Sequence, residues 1–216
     1  MKLLTRGAAL LAALATALCP ASAASSASAG DTRQGYVRLA HPQAVRESGK
    51  REVVEFFWYD CPHSQRLEKP LAAWAARHRA DVRLRRVPAV WPGAPAMAAH
   101  ARLYYTLERL GLVDRLQGAV FHAVRDRHRS LTTEAAAADW AAGQGVDRAR
   151  FRGAYESAQV RRETREAPRL LERYAVPELP SIVVQGRYRT APTTAGGVEK
   201  MMPVVDRLVH RVNDGR

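Results

Sequence analysis

Between Arg51 and Tyr59 the chain runs through apolar, β-branched and aromatic residues interrupted by Glu55, a pattern that predicts a central buried strand. Pro62 then suits the first position of a helix. Leu67, Leu71, Trp74 and His78 follow at helical spacing and predict an amphipathic helix kinked at Pro70. Val82, Leu84 and Val87 mark a second strand over 81–87.

The pattern changes over 94–174, which is rich in Ala, Arg, Leu and Glu. Leu103/Leu107/Leu110, Leu116/Val120/Val124 and Phe151/Tyr155 are spaced for helices. Gly111, Gly143 and Gly145 punctuate this block, and Asp147 suits an N-cap. Strand signals return at Ser181-Ile182-Val183-Val184 and Arg187-Tyr188-Arg189-Thr190, flanking a Gln185-Gly186 turn. A closing helix is expected from about Pro203, with Val205, Leu208, Val209 and Val212 on one face. The order β-α-β, helical block, β-β-α implies an α/β protein: a mixed sheet with helices on its faces.

Composition narrows the class. With 216 residues, 47% hydrophobic and 25% charged, the chain is globular, with enough length for one good-sized core. Its 34 Lys and Arg outnumber 21 Asp and Glu, but the arginines are dispersed in pairs such as Arg85-Arg86 and Arg161-Arg162. No long basic run with interleaved aromatics is present, so no nucleic-acid partner is expected. The surplus belongs to a solvated basic face.

The N-terminus has the layout of an export signal. Lys2 and Arg6 precede an apolar stretch, Ala8 to Leu18, that is too short to span a bilayer comfortably. Ala21-Ser22-Ala23 and Ala27-Ser28-Ala29 are two small-residue cleavage sites. The expected organisation is a signal peptide over 1–23, with cleavage as late as 29, and a flexible tail over 24–34. Residues 35–93 and 175–216 form the two parts of the sheet domain, with an inserted helical domain over 94–174. No stable membrane insertion is expected after cleavage. Leu18 before Cys19 argues against lipidation, which favours a small residue there.

Cleavage removes Cys19 and leaves Cys61 as the sole cysteine of an exported chain, with no structural disulfide. An inert buried thiol is the bland alternative. The flanking residues argue otherwise, because a strand-to-helix turn places the sulfur at a helix N-terminus, where orphan N–H groups and the macrodipole favour an anion. A protonated His63 adds positive charge, whereas Asp60 opposes a second anion beside it. His63, His78, His100, His122 and His128 do not repeat a metal-ligand spacing, so neither a metal nor another cofactor is expected.

The segment Glu55-Phe56-Phe57-x-x-x-Cys61-Pro62-His63 resembles the active-site segment of the DsbA family of periplasmic thiol–disulfide oxidoreductases. The run from Leu179-Pro180-Ser181 through Thr190 resembles that family's cis-proline loop and following hairpin, and Ala195-Gly196-Gly197 before the last helix also matches. The similarity extends over roughly 53–212. It implies a thioredoxin-like fold with a helical insertion, a periplasmic location, and action on unfolded or misoxidised secreted polypeptides. It further implies Cys61 as nucleophile, His63 as thiolate stabiliser, Pro180 as the cis-proline beside the sulfur, and Glu55 as a buried acid tuning proton transfer. Pro62, Ser64, Leu179 and Asp60 would shape the active-site loop and the substrate surface. For Glu55 the plainer reading is a strand glutamate reaching a polar partner.

Ser64 departs from the family's Cys-Pro-His-Cys pattern, so no intramolecular disulfide can store an oxidising equivalent. Monothiol exchange remains open: isomerisation through mixed disulfides, or reduction with a small thiol as resolving agent. The rival expectation is a degenerate thioredoxin-fold protein that binds extended polypeptides without turnover.

Overall fold

The computed structural model describes residues 34–46 and 49–214. The expected signal peptide, both cleavage sites, Cys19 and all of the tail but Gln34 lie outside the described residues. Among those described, no helix is long and apolar enough to cross a membrane.

Among the described residues five strands form one sheet in the order β1-β5-β4-β2-β3. They are β1 (Val37–Arg38), β2 (Arg51–Phe57), β3 (Val82–Pro88), β4 (Ser181–Val184) and β5 (Tyr188–Thr190). β2 pairs parallel with β3, placing Glu55 opposite Arg86, and antiparallel with β4, placing Glu55 opposite Ile182. A parallel pair needs a crossover, and α1 (Pro62–Arg77) supplies it.

β2 carries apolar side chains towards both of its faces because both are covered. Val53, with Ile182 and Val184 of β4, packs against Leu67, Leu71 and Trp74 of α1 and Met201, Val205 and Leu208 of α8 (Val198–Asp214). The Trp74 indole also donates to Asp206 of α8 at 3.0 Å, which fixes one helix against the other. Val54, Phe56 and Val183 point to the opposite face and join a core built from the inserted helices. Those helices are α2 (Pro95–Arg109), α3 (Val113–Phe121), α4 (Glu134–Gly143), α5 (Arg148–Tyr155) and α6 (Ala158–Arg173). Asp147 caps α5 as expected, accepting from the Arg150 amide, and Thr133 and Ser157 cap α4 and α6 in the same way. Each such cap contributes about 1 kcal/mol.

Three features depart from the periodicity. The closing helix starts at Val198, not near Pro203, because buried Val198 and Met201 extend its apolar face by a turn. Pro203 is exposed within it, so the cost is one missing N–H and not a clash in the core. The break before it is made by Gly196 (φ 81°) and Gly197 (φ 136°), which follow the single turn α7 (Pro192–Ala195). Finally, α3 does not continue regularly through Val124: residues His122–Asp126 widen into a π-helical turn. The hairpin turns at Gln185-Gly186 as expected, with φ of 50° and 59° at these residues, but Val184 pairs with Tyr188, so the loop takes in Arg187 and the strand expected from Arg187 starts one residue later.

Candidate active site

β2 ends at Phe57, and a short turn carries the chain to Cys61, the N-cap of α1. That turn is closed by the Cys61 amide donating to the Trp58 carbonyl at 3.0 Å. The Cys61 carbonyl accepts the first helical bond, from Gln65 N at 3.0 Å, and Pro62 occupies the first helical position. The Cys61 side chain makes no cap bond, so its sulfur is not tied to the helix backbone. It is half-buried, 3.6 Å from the carbonyl oxygen of Leu179. The Leu179–Pro180 peptide is cis. Residues 118 apart in sequence thus meet, and as a thiol Cys61 donates to the Leu179 carbonyl.

Ser64 is fully buried in the first turn of α1, and its hydroxyl accepts from the Trp58 amide at 3.4 Å. His63 is half-buried and makes no hydrogen bond or ion pair among the described residues. Leu179 offers the sulfur its carbonyl, while its side chain, 7% exposed, joins the core beneath.

Asp60 is not left as an isolated charge. Arg125, in the π-helical turn, places Nη1 2.7 Å from Asp60 Oδ1 and 3.3 Å from the Asp60 carbonyl. The next residue, Asp126, accepts from Gln65 of α1 at 2.9 Å. The Gln65 bond, then the bond from His122, hold the Asp126 carboxyl below its usual range. Neither Arg125 nor Asp126 stands out in the sequence. The signal that could have found Arg125 is the need of Asp60 for a counter-charge.

Glu55 is completely buried on β2, its Oε2 3.2 Å from Nε of Arg86 on β3. Arg86 also reaches Glu68 of α1 at 2.9 Å. Burial drives the Glu55 carboxyl up to about 8; Arg86 opposes that shift and Glu68 adds to it. Glu68 is raised for the same first reason, with Arg86 again opposing. One guanidinium between two buried carboxyls cannot keep both ionised, so this cluster retains a proton near neutral pH. Glu55 therefore has a polar partner in Arg86, and burial keeps it protonated in spite of that partner.

His100, which matched no sequence motif, accepts from the Trp58 indole N–H at 3.0 Å through Nδ1. Burial pushes its imidazole down to about 4, against the pull of Asp60, so it stays neutral and adds no positive charge here. Arg125 is the cation whose contact with the turn is direct. No group of three or more His, Cys, Asp and Glu among the described residues is placed to hold a metal ion. A cleft of about 490 Å³ opens beside β3, lined by residues including Arg46, Arg85, Tyr104 and Glu108, but it takes in none of 58–65 or 179–180.

With this geometry established, the similarities to known proteins are informative. A family model described as a DSBA-like thioredoxin domain matches residues 84–208. That match begins after Cys61, so it concerns the fold and insertion rather than the thiol turn. The thiol:disulfide interchange protein DsbA of Burkholderia cepacia is 36% identical over 202 residues, covering 93% of this chain and 92% of its own. DsbA of Pseudomonas aeruginosa is 36% identical over 176 residues, 82% of each chain. Among solved structures, the crystal structure of Pseudomonas aeruginosa DsbA superposes with a TM-score of 0.78 at 35% identity, covering 84% of this chain and 93% of that one. The oxidoreductase DsbA from Xylella fastidiosa gives a TM-score of 0.75 at 30% identity, covering 83% and 96%.

Proposed function

The chain belongs to the DsbA family of thiol:disulfide interchange proteins, and from that premise we propose that it is a thiol–disulfide oxidoreductase working through Cys61 alone. The observation that carries this reading is the sulfur at the N-cap of α1, 3.6 Å from the Leu179 carbonyl, with a buried serine where a second sulfur would stand.

The chemistry follows from having one thiol. The Cys61 thiolate attacks one sulfur of a substrate disulfide, forms a mixed disulfide, and releases the other substrate sulfur as a thiolate. No cysteine at position 64 competes to expel the substrate, so release requires a second thiol. When that thiol belongs to the substrate, a new substrate disulfide forms, Cys61 is regenerated, and the net reaction is isomerisation. When a low-molecular-weight thiol attacks Cys61 Sγ, the substrate leaves reduced and Cys61 is capped. A second small thiol then frees Cys61 and departs as the small-molecule disulfide, balancing the two electrons.

The remaining residues divide the work. Pro62 starts the helix whose N-terminus favours the thiolate, and His63, when protonated, adds charge of the right sign. Leu179 and Pro180 provide backbone beside the sulfur for an extended substrate segment to pair with. Glu55 holds a proton beneath the turn and exchanges it as the sulfur changes charge. The substrates are unfolded or misoxidised secreted polypeptides in the periplasm, reached after removal of the N-terminal signal, and no cofactor takes part.

The test is reactivation of a model protein with scrambled disulfides, alongside mass detection of a mixed disulfide on Cys61. Reactivation by the mature protein, abolished in Cys61→Ala, is the expected result. Binding of the unfolded chain that is equal in Cys61→Ala, with no reactivation and no adduct, would establish the rival non-catalytic reading.

A further inference from the structure

We propose that Arg125 is a positioning residue for the Cys61 thiolate: its guanidinium cancels the charge of Asp60 beside the sulfur and holds the active-site turn against the inserted helices. This rests on the monothiol reading above only for its relevance to catalysis, since the electrostatic effect exists whatever the sulfur then attacks.

The need for such a group is visible in the turn itself. Asp60 is the immediate neighbour of Cys61, and a carboxylate at that range disfavours a second anion. Even at the dielectric of bulk water, one unit charge about 4 Å away changes a thiolate population about fivefold, and the effect grows at the lower dielectric of a protein surface. Uncompensated, Asp60 would offset much of what the helix N-terminus contributes. The 2.7 Å contact from Arg125 turns that single negative charge into a neutral pair.

The geometry is specific to the π-helical turn. Arg125 bonds both the side chain and the carbonyl of Asp60, and Asp126 bonds Gln65, so consecutive residues grip the active-site turn on both sides of Cys61. The widened backbone over His122–Asp126 is where this contact is made, which gives the departure from regular helix a function. The side chains of Arg125 and Asp60 are 31% and 42% exposed. A pair that open contributes little to folding. Its consequence lies in the charge the sulfur experiences.

The experiment follows alkylation of Cys61 by iodoacetamide against pH in Arg125→Gln, Arg125→Lys, Asp60→Asn and the double variant Arg125→Gln/Asp60→Asn. Arg125→Gln leaves a bare carboxylate; its rate at neutral pH should fall about three- to tenfold and its profile should move to higher pH. Asp60→Asn leaves a bare guanidinium and should move the opposite way. The double variant, with both charges removed, should return close to the parent, and Arg125→Lys, which keeps the charge, should lie nearer the parent than Arg125→Gln. Added salt should compress all of these differences.

A contact that only staples the turn would move Arg125→Gln and Asp60→Asn in the same direction, because each breaks it. That outcome, or an unchanged profile in Arg125→Gln, overturns the proposal. Should Arg125→Gln fold poorly, the sign of the Asp60→Asn shift still decides: a slower thiol there overturns it. A parent protein that exchanges no disulfides yet shows the opposite-signed pair would defeat the monothiol reading and leave this inference standing.

Discussion

The Ser64 hydroxyl accepts the Trp58 amide from a fully buried site in the first turn of α1, so the position of a second redox sulfur is filled by a group that closes the active-site turn. The bond is long at 3.4 Å, and a thiol in the same place would lose little. Ser64→Cys should therefore fold and form an intramolecular disulfide with Cys61. The variant should then oxidise a reduced peptide stoichiometrically, which the parent cannot do. Peptide oxidation read by free-thiol titration checks this, and a folded Ser64→Cys protein that never forms the disulfide would show that the site has lost its redox geometry.

Glu55 predicts a particular pH dependence of stability. Its folded carboxyl is raised from 4.5 to about 8, chiefly by burial, so between those values the native state holds a proton that the unfolded chain has released. Stability contributed by the protonated form is complete below about 4.5 and declines as pH rises towards about 8. Glu55→Gln keeps the shape without the titration. It should flatten this decline and stabilise the fold at pH 8 by about a few kcal/mol, read as a higher Tm, while matching the parent near pH 4.5. Thermal melts across that range suffice, and an unchanged slope would move the buried proton to another group.

His100 predicts the opposite slope on the acid side. Its imidazole is lowered from 6.5 to about 4, first by burial, so the unfolded chain takes up a proton in this window before the native state does. Stability from His100 is therefore present above about 6.5 and lost as pH falls towards about 4. His100→Asn retains an acceptor for the Trp58 indole but not the titration, so its Tm should fall less over the same interval. An acid limb as steep as the parent's would show that His100 is not the group responsible.

These assignments show what the residue pattern could and could not disclose. Cys61, Pro62 and the Gln185-Gly186 hairpin were legible because each is a local signal, a few residues whose backbone preferences decide the outcome. Glu55 stood out as a charge inside an apolar run, but its partners Arg86 and Glu68 lie on other elements and carry no mark of their role. Arg125 was hidden for the same reason, and because a π-helical turn has no period of its own to find. β1, at two residues, and α7, at one turn, are too short to generate a pattern. Pro203 misplaced the start of α8 because proline at a first helical turn and proline exposed within a helix look alike in one dimension.

Leu179 supports a last prediction, separating backbone from side chain. The residue before the cis-proline is an obvious candidate for shaping substrate preference, yet what it turns towards Cys61 is the carbonyl, while its side chain is 7% exposed within the core. Leu179→Ala should thus act as a core truncation, costing about 2–5 kcal/mol depending on how far the site collapses. The Leu179 carbonyl survives the substitution, so the alkylation rate of Cys61 in the folded variant should stay within about twofold of the parent. That limit corresponds to less than about 0.5 kcal/mol at the sulfur, well below the cost to the fold. Denaturant titration and thiol alkylation on the same preparation measure both quantities. The reverse pattern, an unchanged denaturation midpoint with altered selectivity among substrate peptides, would place the Leu179 side chain on the substrate surface instead of in the core.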